Sequence, residues 1–579
     1  MAIQTDVLVV GAGPAGLTLS ALLATYGVDA VTVSRHSGTA NSPRAHITNQ
    51  RTVEVFRDLG IEDRIRELAT PNSYMTNNVW ATSFAGQEIA RLQTWGTGVE
   101  RKADYEAASP SSMCNAPQHL LEPAILAAAS DRGADIRFST ELVSIAQDDD
   151  GVTAVVRHRD TGAEETIRAR YAVGADGARS TVAEQLGFAM EGETGLGSAL
   201  NIWLEADLTK YCAHRPGVLY WMAQPGNDFW VGSGTWINVK PFTEWVLLCM
   251  YDPAEGEPDL DEESLIARAR MTIGDPDIEV RIKAVSKWQI NHMVAQSYQQ
   301  GRVFLAGDAA HRHPPANGLG SNTSVQDSFN LAWKLAMVVK GEAGEGLLDT
   351  YTAERQPVGR RVVDRALKSV QDMAPISQAL GFAPGQSSED GWASLKELFA
   401  SSAESARRRE QLAAAVQLQN YQFNAHGMDL GQRYASVAVI EDGTAWPQTG
   451  RDPDLYHQAS TRPGASIPHA WLQRGTETIS TLDVVGKGRF TLVTGLDDQA
   501  WREAAAAVSA ELGVELAVAQ IGVRGDNDDV LGTWSGLREI ADDGCLLVRP
   551  DRFIAWRQKS ATLQPAAALK AALSAALGR

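Results

Sequence analysis

Residues 6–27 read DVLVVGAGPAGLTLSALLATYG: an unbroken apolar run that stops at Gly11, a turn, and an apolar helix-forming stretch closed by Gly27. A strand apolar on both faces belongs inside a parallel sheet. Gly11, Gly13 and Gly16 complete G-x-G-x-x-G between that strand and the helix, so backbone can approach a pyrophosphate at the helix's positive end. DAVTVS, residues 29–34, supplies the next parallel strand, and the chain opens as βαβ. The acid that usually closes the second strand is replaced by Ser34, with Arg35 next. A hydroxyl can still bond a ribose, at about 1 kcal/mol net, less than a carboxylate. The departure argues against an NAD-dependent dehydrogenase.

Two later strands also end in an acid: YAVGADGARS carries Asp176 and Gly177, and VFLAGDAAHRHPPANGLGSN carries Gly307 and Asp308. The second runs through a Gly/Pro loop into TSVQDSFNLAWKL, where Thr323 and Gln326 have capping-box spacing and predict a helix start. Free N–H groups there would attract anionic atoms. His311 and His313 run into Pro314 and Pro315 with no third His or Cys nearby, so a metal site is not expected. Both are read as structural, bonding loop backbone.

A chain of 579 residues exceeds one core and implies roughly two to four domains. Its net charge of -19 argues against nucleic acid and anionic membranes as partners, and any anionic cofactor must be held by a local site. The four cysteines are scattered with no C-x-x-C, which fits a reducing compartment. The N-terminal apolar run lacks a basic leader and is interrupted by Gly and Pro, so the reading is neither signal peptide nor membrane span, but a cytoplasmic protein. Residues 200–250 alternate Trp, Tyr and Val, as in GVLYWMAQ and FWVGSGTWINV, and predict a mixed sheet. ESARRREQLAAAVQLQ reads as a solvated helix. Beyond a Pro/Gly-marked linker, RFTLVTG, AWREAAAAVSAELG, VELAVAQIG and CLLVRPDRFIAWR alternate as a small separate α/β domain. The expected boundaries are 1–181 with 297–370 for nucleotide binding, 182–296 as an inserted substrate domain, 371–450 as helical segment and linker, and 451–579 as the tail.

These motifs together carry a resemblance. The chain resembles the FAD-dependent aromatic hydroxylases of the para-hydroxybenzoate hydroxylase fold, and PRAHITNQRTVEVFRDLGI with GDAAHRHPPANGLGSNTSVQDSFNLAWKLA looks like the dichlorophenol and phenol hydroxylase branch. The resemblance implies an α/β protein: a Rossmann-like FAD-binding domain, an inserted mixed-sheet substrate domain and a thioredoxin-like C-terminal domain. It implies noncovalent FAD, with NAD(P)H as a transient co-substrate lacking its own domain, and O2 carried to a phenol-like ring through a flavin C4a-hydroperoxide. Asp308 would accept from the ribityl chain, Pro315 would offer its carbonyl beside the reacting flavin carbon, and the Ser321 and Asn322 N–H groups would meet the N1 and O2 edge, with Gly318 and Gly320 allowing close approach. Arg44 would contact FAD and help admit the nicotinamide cofactor, and Gln118 would hold the cofactor's phosphate region. His46 stands where relatives place a base for the substrate hydroxyl, with an ordinary pKa near 6.5. Tyr220, Trp221, Trp236 and Asn291 are expected to roof the pocket. Cys545 lies alone in an apolar strand, so the tail is read as structural or as the basis of a homo-oligomer, a dimer or higher. Two further readings stay open: a tailoring hydroxylase or epoxidase for a larger polyketide, hydroxypyridine or quinone, and a flavin-binding redox sensor or scaffold.

Overall fold

The N-terminal apolar run forms the strand Ile3–Val10, flanked on both sides by parallel partners, Glu164–Gly174 and Ala30–Val33. Val7, Leu8 and Val9 are fully buried, as a strand covered on both faces requires. Val303–Leu305 adds in parallel beyond Glu164–Gly174, and Asp135–Arg137 beyond Ala30–Val33. The strands that lead into Gly11, Asp176 and Asp308 are therefore three neighbours in one sheet, and their carboxyl ends share one edge. That edge is where ligands settle in open α/β sheets. The computed structural model on which this description rests covers residues 3–225 and 234–579.

A second, eight-stranded sheet runs in the order His311–Arg312, Arg281–Ala295, Met190–Glu205, Glu244–Tyr251, Thr235–Lys240, Gly217–Met222, Asn77–Ala81, Glu88–Gln93. The inserted domain expected over 182–296 is thus incomplete without Asn77–Ala81 and Glu88–Gln93. This hairpin comes from the stretch assigned to nucleotide binding and pairs with Gly217–Met222, which would otherwise be an open edge. At the far end Arg312 and His311 pair with Met293 and Val294, so the loop after Asp308 is stitched to this sheet. Of FWVGSGTWINV, residues 229–233 lie outside the described residues.

The tail builds a seven-stranded sheet around Phe490–Thr494, with Leu516–Gly522 parallel on one side and Cys545–Val548 antiparallel on the other, and helices Gln499–Leu512 and Pro565–Ala576 in contact. It has its own sheet but not a wholly separate core. Phe490 packs edge-on against Trp333 of helix Gly320–Val339 at 5.6 Å, and one apolar cluster runs from Val7 through Trp333 to Leu573. Cys545 is fully buried, and burial pushes its thiol far above the usual range. Among the described residues, no helix is long and apolar enough to cross a membrane.

Under this core lies a buried polar network that reaches the loop. Arg549 of the tail donates to both Glu354 carboxylate oxygens, at 2.5 and 2.8 Å, and pairs with Asp551 at 2.6 Å. Lys334 and Asn330 donate to the same Glu354 at 2.8 Å. The next residue, Arg355, binds Asp327 at 2.8 Å, and Asp327 accepts from His311 Nε2 at 2.8 Å and from the Gly307 N–H at 3.1 Å. Burial alone would raise the Asp327 carboxyl; Arg355 and His311 outweigh it and hold the group below its usual range.

Candidate active site

The glycine turn is close-packed at two positions and open at the third. A Cβ on Gly11, whose φ is +111°, would lie 2.1 Å from the Ala175 carbonyl oxygen, and one on Gly16 would lie 1.9 Å from that of Gly11. Gly13 is different: the nearest atom to its would-be Cβ is Glu122 Oε1 at 4.0 Å. It caps helix Pro14–Thr25 with no side-chain bond and no acid in the first turn. The space in front of Gly13 and the uncapped helix end fit an anionic diphosphate. Ser34 ends its strand buried, its hydroxyl accepting only a long 3.4 Å bond from His36 N–H. Arg35 and Arg44 are exposed. Burial, then Arg35, Arg44 and Arg159, lower the His36 pKa, which marks a local cluster of positive charge in an acidic chain. Gln118 begins the helix Gln118–Asp131 and donates to Glu122 at 2.6 Å, while Glu122 also accepts from Ala40 N–H at 2.5 Å. Burial raises the Glu122 carboxyl above its usual range. Nothing in its spacing singled this residue out.

The two acids at the sheet edge differ. Asp176 accepts from Ser180 Oγ at 2.5 Å and Val182 N–H at 3.2 Å, so its carboxylate is engaged in fixing the turn after Gly177. Asp308 is exposed, and among the described residues no hydrogen bond is made to its carboxylate. His313 Nδ1 bonds the Pro314 carbonyl at 2.6 Å, as expected of a loop-holding residue, but His311 bonds the Asp327 carboxylate rather than backbone. Pro315 is exposed at the head of a tight turn in which Asn317 and Gly318 both have positive φ. A Cβ on Gly318 would sit 2.8 Å from Ile47 Cβ; one on Gly320 would meet only the His313 ring, at 3.4 Å.

The helix begins at Gly320, three residues before the expected capping box at Thr323. Thr323 is already inside, its hydroxyl bonded back to the Leu319 carbonyl at 2.8 Å, and Gln326 turns to Thr52 at 3.4 Å. The first turn has neither side-chain cap nor acid. Asn322 points its amide inward, to the Ile47 and Gly318 carbonyls at 2.8 and 2.6 Å. The N–H groups of Gly320, Ser321 and Asn322 are thus left at the end of a twenty-residue helix dipole, suited to a polar, electron-rich ligand edge. Asn322 Oδ1 also accepts from Asn49 N–H at 3.0 Å, and Asn49 donates to Asp429 at 2.9 Å, a carboxyl that burial raises to about 7.

His46 precedes Ile47, whose carbonyl accepts from the Asn322 amide at 2.8 Å. The His46 Nδ1 is 2.9 Å from Asn115 Oδ1, and Asn115 Nδ2 donates to the Asn238 carbonyl at 2.8 Å. The second bond orients the amide, so Oδ1 faces His46 as an acceptor and Nδ1 carries the proton. Nε2 is left as the acceptor. Burial lowers the His46 pKa to about 4, against the ordinary value expected from sequence, and the ring is neutral at physiological pH. The following residue, Ile47, belongs to an apolar cluster with Met75, Trp80, Trp95 and Trp221. Tyr220 and Trp236 do not join it. They pack with Phe84 and Trp245 in a different cluster, and the Tyr220 hydroxyl bonds the Arg215 carbonyl at 2.9 Å. Alternation along the strand sends Trp221 to one face and Tyr220 to the other. Asn291 lies farther off, on Arg281–Ala295, where it accepts from Gly195 N–H at 3.2 Å.

An open glycine turn, an uncapped helix end and a neutral histidine next in sequence to an apolar cluster suit a flavin and an aromatic ring. Residues 4–366 match the FAD binding domain family and residues 460–579 the aromatic-ring hydroxylase C-terminal family. The chain belongs to the FAD-dependent aromatic-ring hydroxylases, and is a monooxygenase with FAD as its cofactor. It is 48% identical to 2,4-dichlorophenol 6-monooxygenase of Delftia acidovorans, over 99% of this chain and 98% of that protein. To phenol 2-monooxygenase of Pseudomonas sp. (strain EST1001) it is 44% identical, over 99% and 93%. The crystal structure of the flavin-dependent monooxygenase PieE in complex with FAD and substrate matches with a TM-score of 0.96 at 48% identity, covering 99% of each chain.

Proposed function

We propose that the protein hydroxylates a phenol-class aromatic ring, using NAD(P)H and O2. The observation that carries this reading is His46, its Nδ1 fixed by Asn115 so that Nε2 is the acceptor, with the next residue, Ile47, in an apolar cluster that includes Trp80, Trp95 and Trp221. Bound FAD would supply reduction by NAD(P)H and activation of O2. Gly11, Gly13 and Gly16 would carry its diphosphate, with Arg44 and Gln118 alongside and Asp308 on its ribityl chain. Pro315 and the N–H groups of Ser321 and Asn322 would face the ring system. The chain's own contribution is then the handling of one proton. A substrate hydroxyl donating to His46 Nε2 gains electron density in the ring. As the ring gains oxygen that hydroxyl becomes far more acidic than in a free phenol, and an imidazole whose pKa is about 4 is basic enough to take the proton at that stage. Asn115 holds the ring of His46 in the tautomer that this needs.

Two of the relatives' names favour a simple phenol, and the tetracenomycin A2 monooxygenase-dioxygenase and a putative polyketide hydroxylase among the others widen the ring sizes worth testing. The deciding experiment offers the FAD-loaded protein a panel of phenols, hydroxypyridines and fused-ring phenols. NAD(P)H oxidation, oxygenated product and H2O2 are measured for each. Substrate-dependent product in step with NAD(P)H loss is the expected result; NAD(P)H oxidation that yields only H2O2 across the panel defeats the proposal. The reading includes a cytoplasmic setting and an assembly of two or more chains, the latter tested by light scattering.

A further inference from the structure

Two adjoining hollows open where helix Gly346–Gln371 meets residues 428–433 and the linker 446–466, and Val358 and Val362 of the inner wall pack against Leu319, just before the helix start at Gly320. The outer one is about 550 Å³ and the inner about 320 Å³, and they share Pro357, Arg361 and Met428. In the outer hollow each cation has an acid: Arg360 pairs with Glu191, Arg361 with Asp454, and Arg365 and Lys368 with Asp372. The inner one is different. Two guanidiniums, Arg433 and Arg462, stack on Trp446 at 4.1 and 4.4 Å from its centroid, and two more, Arg101 and Arg451, stack on Tyr456 at 3.9 and 3.6 Å. Arg451 pairs with Asp104, and Arg462 has Glu441 only at 3.9 Å. Among the described residues, Arg101 and Arg433 have no acidic partner within salt-bridge distance.

The positive field is visible in its effect on the neighbours. Burial lowers the Arg433 pKa, and Arg361 and Arg462 lower it further. His457 falls to about 3 through burial, then Arg51 and Arg433, and His426 falls through burial, His457, Arg101 and Arg451. No carboxylate appears among the causes for any of the three. Arg433 lines the hollow and is exposed, with Arg462, Arg101 and Arg451 behind the two rings, and such a local surplus of positive charge in a chain of net charge -19 attracts an anion. Of the other polar groups of the wall, Ser466 accepts from Arg51, Gln458 donates to Thr449, and Gln432 bonds Gln326 and Arg355, whereas His457 Nδ1 and, against Trp446, Arg462 Nε and Nη1 have no hydrogen-bond partner among the described residues. What remains for a ligand is the Arg433 fork and the His457 ring nitrogen beside a wall of Val358, Val362, Met428 and Leu430. A carboxylate on a flat apolar body matches a guanidinium fork beside such an apolar wall.

We propose that this inner hollow is a binding site for a compact aromatic carboxylate, with the carboxylate on Arg433 and the ring against the apolar wall, separate from the flavin site. The probe is 4-bromobenzoate, added to the FAD-loaded full chain by calorimetric titration and soaked into crystals, where bromine reports its position. The proposal expects saturable binding of one equivalent at this seam, weakened about tenfold or more in Arg433→Ala. FAD content, flavin absorbance and thermal midpoint should stay unchanged in that variant. It is overturned if no saturable binding occurs, if Arg433→Ala binds as tightly as wild type, if bromine is found only beside His46, or if inorganic phosphate displaces the probe at equal concentration. Hydroxylation of a phenol can fail while this site binds, and the reverse, so the two readings fall separately.

Discussion

His46 donates through Nδ1 because the Asn115 amide is turned by its own bond to Asn238, and that leaves Nε2 as the acceptor. A free imidazole would lose activity by protonation near pH 6.5; this one, lowered by burial to about 4, should not. The expected pH profile of product formation therefore has no acid limb from His46 between pH 5 and 7, and stopped-flow measurement of oxygen transfer checks it. His46→Ala should slow oxygen transfer about 10²-fold and send more reducing equivalents to H2O2, with partial recovery toward pH 10 as the phenol ionises unaided. An unchanged transfer rate removes His46 from the proton's path. The same shift has a stability consequence of definite sign. The unfolded chain binds a proton near pH 6.5 and the folded one only near 4, so His46 disfavours the fold progressively as pH drops through that window. His457, lowered to about 3, adds to this. Sequence named His46 because its neighbours carry a recognisable run, but Asn115, which sets its tautomer, sits in the two-residue strand Cys114–Asn115 and has no local signature.

At the scale of elements, the glycine turn offers a test that separates space kept for a ligand from space the fold needs. Gly13 has negative φ and nothing within 4 Å of its would-be Cβ but Glu122 at 4.0 Å. Gly13→Ala should leave the thermal midpoint of the apoprotein unchanged and weaken FAD binding about tenfold or more, measured by fluorescence titration. Gly318→Ala, with φ at +63° and Ile47 Cβ at 2.8 Å, should lower both, because its methyl group meets the protein itself. Equal FAD affinity in Gly13→Ala would deny the cradle. The strand ends at Gly11, Asp176 and Asp308 were legible because an apolar run and its closing residue are contiguous, and parallel order then brings them to one edge. The helix start was not. Cap-spacing finds helices whose ends are satisfied by side chains, whereas this one begins at Gly320 with its N–H groups left open, and Thr323–Gln326 imitates a cap from inside. Alternation likewise puts Tyr220 and Trp221 on opposite faces without saying which face packs with Ile47.

Across the whole molecule, the tail is tied to the flavin loop by charge as well as by packing, a link that no local pattern announces because Arg549, Glu354 and Asp327 lie far apart in sequence. Glu354 is fully buried and holds Arg549 and Lys334 together. Burial lowers the Lys334 pKa to about 8, with Glu354 opposing the fall. Removing Arg549 leaves a buried carboxylate with one amine, and breaking such a pair costs about 3–5 kcal/mol. Arg549→Met should therefore lower the thermal midpoint far more than Cys545→Ser, which exchanges one small uncharged group for another in a strand without redox chemistry. Removing both partners in Glu354→Gln/Arg549→Met should cost less than the sum of the single changes, since no unmatched charge is left between positions 354 and 549, and Lys334 and Asp551, each short of one partner, remain as opposite charges in one network. Because Arg355 follows Glu354 and reaches Gly307 through Asp327, Arg549→Met should also loosen FAD, although Arg549 lies in the tail. Differential scanning calorimetry and FAD titration of the four proteins measure both effects. Additive losses, or full FAD affinity in a destabilised Arg549→Met, would mean that the network holds the tail in place without reaching the loop.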